Sequence, residues 1–385
     1  MKILMVADVP PDPNSGAAGT EYQTMLALRN LGHTVDAIWA NDLRHRIRHG
    51  NLHYLLELPW AYRDAIRERT LDQQYDVIHV NQPYAWLAAH DHHRRGRSGV
   101  FVNRSHGWEP RLAEILRPWR QMYKVPEWRF PRGLMGRPMR MILHQSARFA
   151  ARLSDGIIVS CSEDQLFLTT RYKLAPERVA CIPQAPADAF IDKPVCPMTT
   201  ERIKRVLYVG QASFFKAPQV LAAVFSRLAE LHPELEFTWC CPASAHNHCL
   251  RLLNEQARER TSMVGWLPQE DLVRLYDKHG IFVFPSFGEG FGKVFLEAMA
   301  RGLCVVGSNV AGMKDIIESS RTGWLVEPGD IMGFCDCIEA LLRFNGVMEM
   351  SATAISVAQA YTWQGVGQKT EAFYKTLREA KQACG

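Results

Sequence analysis

Residues 281–302, IFVFPSFGEGFGKVFLEAMARG, gather the groups best suited to chemistry. An apolar run ends at Pro285, Gly288, Gly290 and Gly292 punctuate a turn, and a helical pattern opens near Lys293. A strand, a glycine turn and a helix N-terminus make an anion site. Unpaired N–H groups and the positive end of the helix dipole face the ligand, and glycine lets the backbone come close. Two phosphate motifs nearly fit and fail. Gly288-x-Gly290-x-Gly292 is shorter than Gly-x-Gly-x-x-Gly. Gly288 to Lys293 is one residue short of a P-loop, with Val294 where Ser or Thr would meet magnesium. Two carboxylates complete the stretch. Glu297, eight residues after Glu289, is placed to hydrogen-bond a ribose diol. Glu289 sits beside the phosphate-binding amides, where a reacting sugar would lie; taken alone, it also reads as an acidic charge favoured at a helix N-terminus.

The elements that must position these groups alternate in type. Short apolar runs at 2–7, 33–39, 76–80, 100–103 and 156–160 read as strands, and a helix runs from about 20 to 31, ended by Gly32. The pattern restarts after a proline-bearing linker at 187–203. Strands are predicted at 205–210, 235–241, 262–264, 281–285, 304–307 and 324–326. Helices are predicted at 217–231, 250–260, 271–278, 294–301 and from 313, and the chain is helical from about 331. Strands alternating with helices indicate βαβ units and parallel sheets. Two such series predict two doubly wound domains facing a central cleft, with ligands beyond the carboxyl ends of the strands.

Composition sets the class. The 385 residues are 47% hydrophobic and 22% charged, ordinary for a globular enzyme, so disordered and fibrous classes are excluded. No stretch approaches the roughly 20 apolar residues of a membrane span, and the N-terminal run is too short for a signal peptide. Ten cysteines without Cys-x-x-Cys pairing indicate free thiols in a reducing compartment, hence a cytoplasmic protein. The net charge of +5 is uneven: residues 1–195 carry +6, and 92–152 alone carry +11. Between Arg111 and Arg140, eight basic residues are interleaved with Trp119, Tyr123, Trp128 and Phe130. This basic-aromatic segment, 111–152, suits an anionic membrane surface or an anionic lipid-linked acceptor, with a solvated insertion as the plain alternative. Nucleic acid is not expected as a partner, because no nucleic-acid motif accompanies the charge. The histidine groups at 90–93 and 246–248 lack tetrahedral spacing with a second ligand pair, so no metal is expected.

Glu289 and Glu297 form a Glu-x7-Glu motif in the context PSxxEGFGxxxxEAMAxG, which resembles the retaining glycosyltransferases of family 4, enzymes of GT-B fold. GAAGTEYQTMLALRNLGHTV (16–35), YDVIHVNQP (75–83), VNRSHG (102–107), SDGIIVSCSEDQ (154–165) and VLYVGQASFFKAPQVL (206–221) are similar to further family segments in the family's order. VGWLPQEDLVRLYDKHGIFVFPS (264–286) and AGMKDIIESSRTGWLVEPGD (311–330) continue the series. The resemblance implies an N-terminal acceptor domain at 1–190 and a donor domain at 200–360, both Rossmann-like. It also implies a C-terminal helix, about 364–385, that crosses back to the first domain.

The implied activity is metal-independent, retaining transfer of a hexosyl-type sugar from a UDP- or GDP-sugar to a saccharide or lipid-linked acceptor, in surface polysaccharide or glycolipid assembly. No cofactor is implied. Glu289 and His106 would lie at the reaction centre. Lys216 would bind the diphosphate, beside Gly210 and Gln211, the latter standing where the family usually has arginine. The amides of Gly290, Phe291, Gly292, Lys293 and Val294 would bind sugar hydroxyls and phosphate, and Glu297 the ribose. Gly16 and Gly19 would let the N-terminal loop approach the diphosphate and acceptor. A degenerate member that binds nucleotide sugar without turnover, and a nucleotide-sugar epimerase, are the alternatives.

Overall fold

A computed structural model describes every residue except 14, 49, 82–83, 127–132 and 384–385. The chain forms two compact units. The first comprises residues 1–184 and 363–385, and the second residues 185–362.

The sheet of the first unit contains β1 (Lys2–Val6), β2 (Thr34–Ile38), β3 (Val77–Asn81), β4 (Val100–Arg104), β5 (Gly156–Val159) and β6 (Val179–Cys181). The strands are parallel, in the order β2-β1-β3-β4-β5-β6. Helices connect them, and β3, β4 and β5 are buried along their whole length. Covered on both faces, such strands read as continuous apolar runs rather than alternating ones. The core on one side of the sheet joins Leu4, Val6, Tyr62, Ile78, Val80 and Phe101. Another joins Trp108, Ala147, Ile157, Val159 and Leu168. The helix Trp363–Ala383 completes this unit. Gly367 accommodates its approach to the helix Ala17–Asn30, since a Cβ there would lie 2.7 Å from that of Ala27.

The second unit repeats the plan with β7 (Arg205–Val209), β8 (Glu236–Cys240), β9 (Thr261–Val264), β10 (Ile281–Phe284), β11 (Cys304–Ser308) and β12 (Gly323–Val326). Their order is β12-β11-β10-β7-β8-β9, again all parallel. In each sheet the chain steps outward to one side of the unit's first strand and then returns to its other side. The topological switch points, where ligands of doubly wound sheets bind, therefore lie between β1 and β3 and between β7 and β10.

Local departures from the predicted elements have local causes. The first helix begins at Ala17 rather than near 20, because the Ala-Ala pair after Gly16 extends it. The predicted helix at 250–260 is two, His246–Leu252 and Glu255–Glu259. Asn254 separates them as an N-cap, accepting the backbone N–H of Ala257 at 2.9 Å. The stretch read as a linker folds into two single turns, Asp188–Ile191 and Thr200–Ile203. β6, three residues long, left no apolar run long enough to read.

Candidate functional site

The second unit's switch point is built by two loops. One follows β7 and ends in a short 3-10 turn, Phe214–Lys216; the other follows β10 and runs into the helix Lys293–Ala300. The loops are tied by the Phe287 N–H, which donates to the Phe215 carbonyl at 2.8 Å. Lys216 donates to Glu289 Oε1 at 2.7 Å, with side-chain exposures of 14% and 5% respectively. The ammonium also lies 4.6 Å from the Phe284 ring centre and 5.2 Å from that of Phe215. A carboxylate and two aromatic faces thus fix a cation at the carboxyl end of the sheet.

Gly292 precedes the helix with φ +90°, a conformation that favours glycine. It has no side chain with which to cap the helix, so the first-turn N–H groups depend on other partners. Phe291 is buried, Gly290, Lys293 and Val294 half-buried. Glu297, one turn in, is buried, and burial pushes its carboxyl up, opposed by Lys293 and by a hydrogen bond from the Tyr276 hydroxyl. Gly210 closes β7, its N–H donating to the Cys240 carbonyl at 3.0 Å; a Cβ there would lie 2.7 Å from the Tyr208 hydroxyl. Its small size is thus required by the unit's own packing. Gln211 is exposed, and its carbonyl accepts the Tyr208 hydroxyl at 3.0 Å. The structure therefore brings Lys216 and Glu289 into contact and sets Gly210, Gln211 and residues 290–297 in the flanking loops and helix.

Three further groups at this edge were not singled out in the sequence. Ser213 lies beyond β7, Ser286 beyond β10, and Ser308 ends β11; each holds a buried hydroxyl without a hydrogen-bond partner. Buried hydroxyls are normally paired, so three at one sheet edge are unspent hydrogen-bonding capacity. The sequence signal was their shared place, one serine at or just past the end of three neighbouring strands.

The remaining predicted residues, Gly16, Gly19 and His106, lie in the first unit. Gly16 precedes the helix Ala17–Asn30 and has open space around it. Gly19 does not, because a Cβ there would lie 2.7 Å from the Pro13 carbonyl oxygen. His106 Nε2 lies 2.8 Å from Glu21 Oε1, and Glu21 is fully buried. Around Glu21 stand His79 at 3.3 Å and the Arg104 guanidinium at 4.0 Å. Arg104 also donates to Thr24 Oγ1 at 2.9 Å, and His79 Nδ1 pairs with the Tyr374 hydroxyl. Burial alone would raise the Glu21 carboxyl, but hydrogen bonds from His106 and His79 outweigh it and hold the group ionised. Burial pushes the His106 imidazole down, toward neutrality. Glu21 and Arg104 then balance in charge, and His106 donates from Nε2 to the carboxylate. His106 Nδ1 is left with no partner. Sequence reading found His106 but missed Glu21, His79, Arg104 and Tyr374. Its available signal was charge inside apolar strands: His79 interrupts VIHVN and Arg104 ends VFVNR.

The basic-aromatic segment is described in part. Trp128 and Phe130 lie outside the described residues. Arg111 is buried and neutralised, donating to Asp164 at 2.5 Å and to Glu163 at 2.7 Å. Exposed Arg117, Lys124 and Arg152 accompany exposed Met122, Met141, Ile142 and Phe149. No helix among the described residues is long and apolar enough to cross a membrane.

Comparison with known proteins decides the family. The family model described as Glycosyltransferase Family 4 matches residues 15–185, and that described as Glycosyl transferases group 1 matches residues 203–343. The chain belongs to glycosyltransferase family 4. Among curated relatives of this glycosyltransferase is D-inositol 3-phosphate glycosyltransferase of Corynebacterium diphtheriae, 28% identical over 57% of this chain and 56% of that protein. The chain thus spans about half the length of that relative. O-antigen chain mannosyltransferase B of Escherichia coli is 37% identical over 30% of each chain. Among solved structures, sucrose-phosphate synthase from Thermosynechococcus elongatus has a TM-score of 0.74 at 20% identity, covering 99% of this chain and all of that one. Two parallel six-stranded sheets, each flanked by helices, and this likeness identify the fold as GT-B.

Proposed function

We propose that this glycosyltransferase moves a sugar, with retention of anomeric configuration, from a nucleoside-diphosphate sugar to a saccharide or lipid-linked acceptor in surface polysaccharide or glycolipid assembly. The observation that carries the reading is the Lys216–Glu289 pair at the switch point of the second unit, beside the N-terminus of the helix Lys293–Ala300. A departing diphosphate needs fixed positive charge. Lys216 and first-turn amides supply it without a bound metal. Glu289 lies where charge develops on the transferred sugar. Glu297 takes the ribose, and residues 290–294 take sugar hydroxyls and phosphate through their amides. With front-face attack, the acceptor hydroxyl bonds to the anomeric carbon as the bond to the diphosphate oxygen breaks, and that oxygen takes the acceptor's proton. Gly16 and His106 serve the same reaction from the first unit. The relative whose name includes O-antigen chain supports a surface-polysaccharide role.

The protein works on the cytoplasmic side, resting on anionic membrane through segment 111–152. Basic residues there stand beside exposed Met141 and Phe149, eight residues apart and so near one face of the helix Gly133–Leu153. Release of nucleoside diphosphate from a panel of UDP-, GDP- and ADP-sugars with a lipid or saccharide extract tests the activity, and proton NMR of the product tests retention. No release with any donor, or an inverted linkage, would refute the reading. Co-sedimentation with anionic liposomes that persists in high salt, or none at all, would remove the membrane role.

A second reading, nucleotide-sugar binding without turnover, draws on exposed Gln211 where the family usually carries arginine. It requires donor binding to persist with no product, and turnover abolished by Glu289→Ala excludes it.

A further inference from the structure

We propose that Asp8, His45 and His53, in the first unit, form a transition-metal site suited to Zn2+. Potential ligand atoms of the three residues lie within 4.8 Å of one another. They come from separate segments: Asp8 follows β1, His45 lies in the loop after β2, and His53 opens a single π-helical turn, His53–Glu57.

His53 carries the argument. It is 1% exposed, and its Nδ1 lies 3.0 Å from Glu57 Oε2. The carboxylate can only accept, so Nδ1 carries the proton of that hydrogen bond and Nε2 is the ring nitrogen left to take a ligand. That atom is buried without a hydrogen-bond partner, and the nearest carboxylate oxygen, Asp8 Oδ2, stands 3.6 Å away, outside hydrogen-bonding distance. A buried ring nitrogen without a partner, facing a carboxylate at 3.6 Å, suits a cation. The His45 ring stacks on His53 with centroids 3.9 Å apart and planes within 8°.

The surroundings are those of a ligating histidine. A metal-bound imidazole usually donates its other N–H to a carboxylate, which fixes tautomer and ring orientation. Glu57 does this for His53 and also accepts the backbone N–H groups of Arg46 and Ile47 at 2.9 Å. One carboxylate therefore orients the buried ligand and anchors the residues next to His45. Two imidazoles and one carboxylate match Zn2+ better than Mg2+ or Ca2+, and leave a fourth position for water or a ligand oxygen. Ligands around tetrahedral zinc sit about 3.4 Å apart, from bond lengths near 2.1 Å. Exposed His45 is the residue free to close the remaining gap.

A second cluster, His92, His93 and Asp155, also holds a buried imidazole nitrogen without a partner, His92 Nδ1, but no carboxylate orients its rings and its own carboxylate is already paired. Its Nε2 atoms each lie 2.7 Å from a backbone carbonyl, and the Lys381 ammonium lies 3.3 Å from Asp155.

The test is titration of the chelator-stripped full chain with Co2+, read by visible absorption and reversed by Zn2+. One equivalent with tetrahedral absorption is expected. His45→Ala and Asp8→Asn should each weaken binding about 10-fold or more, while His93→Ala leaves it unchanged. His45 is exposed, so its variant should fold, which circular dichroism checks. Absence of tetrahedral Co2+ absorption, or absorption that survives His45→Ala and Asp8→Asn, overturns the proposal. Loss of absorption in His93→Ala would move the ion to the second cluster and overturn it equally.

Discussion

Lys216 cannot serve the diphosphate and Glu289 at full strength together, and this yields a sharp expectation. Glu289 holds the ammonium at 2.7 Å, and both side chains are largely buried. If a diphosphate binds there, it must share that ammonium and tolerate the neighbouring carboxylate. A hydrogen bond to a charged group contributes about 1.5–3 kcal/mol. Lys216→Met should therefore weaken UDP, GDP or ADP binding about 10- to 150-fold. Glu289→Gln should act in the opposite direction. Removing the competing charge frees Lys216, and a gain of about 1 kcal/mol corresponds to roughly fivefold tighter binding. Turnover should nonetheless collapse in Glu289→Gln if Glu289 has the proposed place at the reacting sugar.

Calorimetric titration of the three diphosphates into wild type, both single variants and the double variant is the assay. Folding needs its own control, since removing one member of a buried pair leaves the other charge uncompensated and costs about 3–5 kcal/mol. The double variant, neutral at both positions, should recover stability in thermal melts yet bind as weakly as Lys216→Met. Equal affinity in wild type and a well-folded Lys216→Met would refute the placement. Weaker diphosphate binding in Glu289→Gln would refute the competition.

Other expectations follow from buried groups. His92 and His279, one in each unit, are both pushed down to about 4 by burial. The folded state thus binds their protons more weakly than the unfolded state, and stability is full above about pH 6.5 and lost as pH falls toward 4. Between pH 7 and 5 each should cost about 2 kcal/mol, read by denaturant unfolding; a flat profile would refute it. Gly312→Ala would place a Cβ 2.6 Å from the Phe291 carbonyl oxygen, so it should cost about 1–3 kcal/mol in unfolding experiments and weaken diphosphate binding. Glu21→Ala should destabilise by about 3–5 kcal/mol because Arg104 stays buried without its carboxylate; unfolding within 1 kcal/mol of wild type would show that Arg104 relaxes to solvent.

How far the sequence could be read follows from the range of each interaction. β10 and the turn after it were legible because their causes are local: a strand buried on both faces is apolar throughout, and Gly292 is needed where the backbone turns to φ +90°. That the strands of each sheet run parallel followed from their alternation with helices. What stayed hidden depends on partners far along the chain. Glu21 meets His106 across 85 residues, and His79 meets Tyr374 across 295. Asp8, His45 and His53 were not grouped either, because no spacing along the chain marks three ligands from three segments. The glycines were a subtler case. Gly19 and Gly210 are small for the sake of their own neighbours, Pro13 and Tyr208, a packing reason that looks identical in sequence to a ligand-facing one.

The two switch points solve a common problem with different groups. Each unit carries a charged residue in the segment that follows its first strand, Glu21 in the helix Ala17–Asn30 and Lys216 in the turn after β7, and pairs it inside the protein: Glu21 with His106 and Arg104, Lys216 with Glu289. Buried ion pairs are poor devices for stability, since apolar residues of similar volume often serve as well or better. Their location also argues against a structural purpose. Both stand at the carboxyl edge of a parallel sheet, where backbone N–H groups and helix N-termini converge, rather than in the aliphatic layers around Ile78 or Val283. Such pairs keep charge oriented in a partly dry site, so that little reorganisation is needed when a ligand brings charge of its own. In the second unit the incoming charge must be negative to engage Lys216. In the first, Glu21 balances Arg104 and leaves neutral imidazole at His106, a group that accepts a hydrogen bond at Nδ1 without adding charge. That division suits an anionic diphosphate on the second unit and a polar, uncharged hydroxyl partner on the first.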